Sequence, residues 1–178
     1  MRKRESSFSR WVARQVPPGL DWWTEAKWAI SGLVVGAFWS LTAFCYQFYN
    51  ARNRLYGWVN EKYVLVESRT IAPFPELLDK SMAVLLLGMV LTIPLACYHC
   101  AYYYLGSRSI YVMRRLPDRW EQWRRCLAVP VLLAAVFLLA IELLTFVYFL
   151  KFLLETPDPC LPSDPWRQLL YALGGGRA

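Results

Sequence analysis

Three stretches of this chain carry no formal charge, or a single one, over lengths that match the thickness of a lipid bilayer. Trp28 to Ala51 is 24 residues bounded by Lys27 and Arg52, and Ser81 to Ser107 is 27 residues bounded by Lys80 and Arg108. Cys126 to Leu150 lies between Arg125 and Lys151 and contains one acid, Glu142. At 1.5 Å per residue, a helix of that length spans roughly 36 Å, enough to cross a hydrocarbon core of about 30 Å with some tilt. A water-soluble core would distribute its apolar residues at the helix or strand period instead of concentrating them in unbroken runs. The solvent these runs expect is lipid, and a chain with three of them is expected to be an all-α membrane protein with three transmembrane helices.

Composition agrees, since 57% of residues are hydrophobic and 19% charged, which sets the chain apart from ordinary soluble domains. It excludes a disordered chain and a disulfide-dense secreted scaffold, and no repeat of solenoid period is present. Pro94 predicts a kink in the second span. Glu142 costs about 2.5–3.5 kcal/mol on insertion scales, which the Leu, Val, Phe and Ile around it offset. The first run is not expected to be a signal peptide, since the polar stretch before it is long and no A-x-A-like site follows it.

The short loops set the orientation. Residues 1–27 hold six bases (Arg2, Lys3, Arg4, Arg10, Arg14, Lys27) and residues 108–125 hold six more (Arg108, Arg114, Arg115, Arg119, Arg124, Arg125). These segments share one side of a three-span protein. The opposite side carries Arg52, Arg54, Lys62, Arg69 and Lys80 in one loop and Lys151, Arg167 and Arg177 in the tail. Twelve against eight is expected to place the N-terminus inside and the C-terminus outside. The net charge of +7 is then a topology signal and requires no nucleic-acid partner.

The resulting layout is an interfacial N-terminal segment 1–27, spans at 28–51, 81–105 and 126–150, an outer loop 52–80, a cytoplasmic loop 106–125 and an outer tail 151–178. The N-terminal segment mixes Trp11, Trp22 and Trp23 with basic residues around Pro17-Pro18-Gly19, which suits an interfacial helix lying on the inner surface. The outer loop contains an extended-looking run, Tyr63-Val64-Leu65-Val66, then Pro73-Phe74-Pro75, and is long enough to fold back over a bundle. The tail, rich in proline and ending in Gly174-Gly175-Gly176, is expected to hold little regular structure beyond a turn of helix at Trp166–Leu173.

The cytoplasmic loop is the richest segment. Pro117 and Asp118 suit a helix start, and Arg124 and Arg125 suit its end, so a short helix from Pro117 to about Arg125 is expected. Trp120 and Trp123 share a face with Leu116 and Leu127 on a strongly basic helix. Such a helix suits either membrane lipid, with tryptophans at headgroup depth, or a cleft on a cytosolic partner.

The segment Ser107-Arg108-Ser109-Ile110-Tyr111-Val112-Met113-Arg114-Arg115-Leu116-Pro117-Asp118-Arg119-Trp120 resembles an intracellular-loop segment of the membrane subunits of bacterial ABC exporters of the ABC-2 permease type, particularly those of Gram-positive bacteria. The resemblance implies that Arg114, Arg115, Leu116, Pro117, Asp118, Arg119, Trp120 and Trp123 form a short cytoplasmic coupling helix that docks on a separate cytosolic ABC ATPase subunit. It implies no cofactor in this chain, with ATP and Mg held by that partner. Permeases of this class usually carry six spans where this chain has three. The resemblance therefore implies either a reduced permease completed by other membrane subunits or a second copy, or an accessory protein that assembles with a larger complex and uses its basic loop for lipid and partner contact.

Candidate chemistry within the spans is sparse. Glu142 must face the bundle or a subunit interface, or be protonated, and Thr145 at i+3 is placed to help satisfy it. A substrate-pathway or proton-linked role and a plain interhelical hydrogen bond both fit. Gly32, Gly36 and Ser40 recur every four residues as a small-residue stripe that lets another helix approach closely, within the chain or between subunits. Cys97, His99 and Cys100 have a metal-compatible spacing, but structural zinc takes four ligands and the remaining cysteines lie far away in sequence, so a metal site is not expected. No G-x-x-x-x-G-K-[ST], H-E-x-x-H, G-x-S-x-G or G-x-G-x-x-G occurs, and the chain has one histidine, so it is not expected to be an enzyme or to hydrolyse ATP itself.

Overall fold

The computed structural model describes residues 22–59, 62–66, 68–105 and 119–174. Among the described residues the protein is all-α apart from one hairpin. Helix α1 spans Trp22–Asn53, strands β1 and β2 span Tyr56–Val59 and Lys62–Leu65, and helix α2 spans Phe74–Leu78. Helices α3 (Ala83–Val90), α4 (Thr92–Leu105) and α5 (Arg119–Glu155) follow, then a 3₁₀ turn at Asp158–Cys160 and helix α6 (Pro165–Gly174). Three helical segments, Trp23–Asn53, Ala83–Tyr102 and Cys126–Glu155, are long and apolar enough to cross a membrane. At most 17% of the most apolar window of each is buried within the chain, so their side chains mostly face outward as lipid requires.

Two boundaries differ from the sequence reading. Trp22–Lys27, expected to lie in an interfacial element, forms the first turns of α1; Thr24-Glu25-Ala26 contains no breaker to stop the helix from starting there. Residues 1–21 lie outside the described residues. The short helix expected to end at Arg125 does not end there, because α5 runs unbroken from Arg119 to Glu155. No glycine follows Arg125, and Pro130, one turn inside the apolar run, removes a single hydrogen bond without terminating the helix.

The packing divides into two compact units, one drawn from the described residues up to Leu33 with Leu87–Leu138, the other from Val34–Leu86 with Leu139–Ala178. In the first, Phe137 of α5 is 5% exposed and its ring lies against Gly88 of α3 and Gly32 of α1. The expected kink is present: the second span breaks at Leu91, between α3 and α4. Pro94 lacks the N–H that would bond to the Val90 carbonyl, and a proline ring within a helix crowds the carbonyl four residues before it. The Thr92 hydroxyl donates to the Met89 carbonyl at 2.7 Å, supplying a partner at the break.

The second unit holds an aromatic core. Phe44 of α1 stacks on Tyr148 of α5 with centroids 4.3 Å apart and planes 6° from parallel. Phe74, fully buried at the start of α2, meets Phe149 at 5.4 Å and Phe152 at 5.6 Å. Pro73 and Pro75 do not prevent this short helix, since proline is tolerated in a first turn whose N–H groups have no intrahelical partner. The backbone N–H of Phe74 donates to the Gln168 side chain at 2.8 Å, and that of Ile71 donates to the Cys160 carbonyl at 3.1 Å. Loop and tail therefore pack on each other and on the aromatic ends of α1 and α5. The run Tyr63–Leu65 lies in β2, paired antiparallel with β1 from Tyr56↔Leu65 to Val59↔Lys62, and the helical turn expected at Trp166–Leu173 lies in α6, which buries Leu169.

Candidate functional site

The small-residue stripe is used inside the chain. A Cβ on Gly36 would lie 2.7 Å from a Leu85 methyl, whereas one on Gly32 would make ordinary contact at 3.9 Å with Phe137. Ser40, fully buried, accepts a hydrogen bond from the Tyr148 hydroxyl at 3.0 Å and donates toward the Met82 sulfur at 3.5 Å. Gly36 and Ser40 thus pack within the chain, while Gly32 is exposed.

Glu142 behaves differently. It stands roughly 2 Å past the centre of the Cys126–Glu155 segment, it is exposed, and it forms no hydrogen bond or ion pair among the described residues. Its neighbours on that surface, Leu139, Leu143, Phe146 and Val147, are exposed apolar side chains. Thr145 is 2% exposed and turned into the protein, so the expected i+3 partnership does not form. Among the described residues, Glu142 is therefore not held by the chain's own packing.

The cytoplasmic segment is only partly described. Arg114, Arg115, Leu116, Pro117 and Asp118 lie outside the described residues. Arg119 and Trp120 open α5, and Trp123 on its second turn is 55% exposed.

A largely buried polar pair joins α1 to α4. His99 is fully buried and its Nε2 lies 3.0 Å from Oε1 of Glu25, a residue in the first turn of α1. With Glu25 as a carboxylate, which only accepts, the His99 Nε2–H is the donor of this bond. The Nδ1 of His99 and the Oε2 of Glu25 are both buried without a hydrogen-bond partner. The thiols of Cys100 and Cys126 are within hydrogen-bonding reach of each other at the same ends of α4 and α5. Among the described residues no three His, Cys, Asp or Glu side chains converge as metal ligands. Cys97 is exposed while His99 points inward to Glu25, so the C-x-x-C spacing and its histidine do not form one site.

His99 was visible in the sequence as the only histidine, but its partner was not. The two residues are 74 positions apart, and Glu25 carries no motif. The available signal was an acid one turn before an uncharged run, where the helix dipole favours it. The chain matches no protein-family model, no curated protein and no solved structure.

Proposed function

We propose that this protein is a membrane-embedded subunit of a larger complex and assembles with another membrane protein through the α5 surface that carries Glu142. The observation behind this reading is the exposed carboxylate near the middle of an apolar helix, without a partner among the described residues. Leaving that group ionised against lipid costs about 2.5–3.5 kcal/mol even on the most lenient scale, and several times more by other estimates. A donor side chain on a neighbouring transmembrane helix removes the cost, and the surrounding Leu139, Leu143, Phe146 and Val147 supply apolar contact.

The resemblance of Ser107–Trp120 favours one kind of complex, an export machine in which a separate cytosolic ATPase binds Mg and ATP and this subunit couples hydrolysis to substrate movement. In that arrangement the N-terminus is inside, the C-terminus is outside, and Arg114 to Trp123 form the docking segment. The continuous α5 would carry motion at Arg119–Trp123 directly into the third span. The accessory-protein reading shares the Glu142 interface and lacks the ATPase.

Affinity purification of the full chain in mild detergent, with quantitative mass spectrometry of its partners, tests both levels. A membrane protein recovered in fixed ratio, and reduced about tenfold by Glu142→Leu but largely retained by Glu142→Gln, is the expected result. Wild-type chain that purifies alone, with Glu142→Leu indistinguishable from it, refutes the assembly reading. A nucleotide-binding ATPase in fixed ratio supports the export complex, and partners without one support the accessory role.

A further inference from the structure

We infer that α6 is an interfacial helix whose exposed face of Trp166, Leu170 and Leu173 binds lipid acyl chains in the leaflet that the C-terminal end of α5 reaches. This contact is separate from the assembly surface at Glu142. At about 100° per residue, the ten residues of α6 sort into three faces. The first lies on the protein: Leu169 is 7% exposed, and the Gln168 side chain accepts the Phe74 N–H. Trp166, Leu170 and Leu173, at i, i+4 and i+7, form the second and are 60%, 69% and 50% exposed. On the third, the Arg167 guanidinium donates to the Tyr171 hydroxyl at 3.2 Å and lies 5.6 Å from its ring centroid. One face on the protein, one apolar and one polar is the pattern of a helix lying in a membrane interface beside its own bundle.

The depth of α6 is set by its contact with the third span. The Trp166 ring meets the Phe149 ring edge-on with centroids 5.2 Å apart. Phe149 is six residues, roughly 9 Å, inside the end of the Cys126–Glu155 segment, and a helical side chain leans further back toward the N-terminus. The 5.2 Å offset is smaller than that depth, so the indole stays within the length of the span. Charges mark the boundary independently. Lys151 reaches one turn outward to Glu155 at 2.7 Å, and Glu155 lies 3.7 Å from Arg52 of α1, which puts the headgroup level near Glu155. Leu150 and Leu154 are exposed, so α5 offers lipid an apolar surface at and beyond the level of Phe149. The stripe on α6 extends that surface sideways from Trp166.

A second protein chain fits this face less well than lipid. A stable interface buries about 800 Å² on each partner. Three aromatic side chains buried whole would supply about 450–750 Å², and two of the three here are leucines already covered in part. Arg167 and Tyr171 satisfy each other and ask for no partner across the stripe.

The test is accessibility in full-length protein in phosphatidylcholine nanodiscs. Leu170, Arg167 or Phe38 is replaced by p-acetylphenylalanine and coupled to a nitroxide, which leaves the native cysteines in place. Relaxation by oxygen, which concentrates in lipid, is compared with relaxation by a water-soluble nickel chelate. Phe38, 69% exposed near the middle of α1, supplies the lipid reference. The apolar face of an interfacial helix sits about 5–10 Å into the bilayer boundary, so the oxygen-to-nickel ratio at Leu170 should exceed that at Arg167 at least about threefold and approach that at Phe38. Equal ratios at Leu170 and Arg167 overturn the inference, because both faces then lie in water. So does a Leu170 label that neither reagent reaches, because protein then covers the stripe. Leu173 is the second position for the same readings if a label at Leu170 disturbs the helix.

Discussion

Replacing Gly88 with alanine puts a methyl group where the ring of Phe137 already is. An added Cβ would lie 2.6 Å from Cε1, 2.9 Å from Cζ and 3.2 Å from Cδ1, against a comfortable carbon separation of about 3.5–4.0 Å. A leucine methyl can rotate away from such a clash, but a phenyl ring that is 5% exposed has little room to turn. Overpacking of this kind costs about 1–3 kcal/mol, and the better helix propensity of alanine returns about 1 kcal/mol. Gly88→Ala should therefore be neutral to destabilising by about 2 kcal/mol. In a Phe137→Leu background the clash disappears and the propensity gain remains, so the same substitution should stabilise. Gly32→Ala, whose Cβ would make a relaxed 3.9 Å contact with the same ring, is the control and should be neutral or stabilising. The assay is unfolding of the full chain in mixed micelles by increasing SDS fraction, followed by circular dichroism, in a double-mutant cycle. A coupling energy of about 1–3 kcal/mol is expected, and equal effects of Gly88→Ala in both backgrounds, within about 0.5 kcal/mol, would refute the packing argument.

Two further outcomes follow from the other unit and from the proposed orientation. Phe74→Ala empties a site enclosed by Phe44, Phe149 and Phe152 and should cost about 3–5 kcal/mol in the same assay, with a loss under about 1 kcal/mol showing that loop and tail are not a packed cap. Cys160 is fully buried and should resist a membrane-impermeant maleimide until the protein is unfolded, whereas Ser163→Cys, at an exposed position in a chain with its native cysteines replaced, should label in intact cells. Labelling of that position only after permeabilisation would reverse the assigned topology.

Both Gly32 and Gly36 belong to one stripe by spacing, yet they are not equivalent in the fold. Spacing identifies a helix face that can be approached closely, and only the opposing side chain decides how closely: Phe137 stands back from Gly32, while Leu85 reaches Gly36. Glu142 shows the same division. Its intramembrane position was legible from the uncharged residues around it, but the bundle-facing alternative was removed only when α5 turned Thr145 inward and left Glu142 out.

The sequence by itself determined the three spans, the break near Pro94 and the extended run at Tyr63–Leu65, because each depends on properties summed over neighbouring residues: transfer free energy, a missing N–H, β propensity. Tertiary structure decided the Glu25–His99 pair, the seating of Phe74 between α1 and α5, and the burial of Cys160 beneath the loop. Those contacts join residues far apart in the chain, and which helix faces meet is a property of the whole packing that no local pattern encodes.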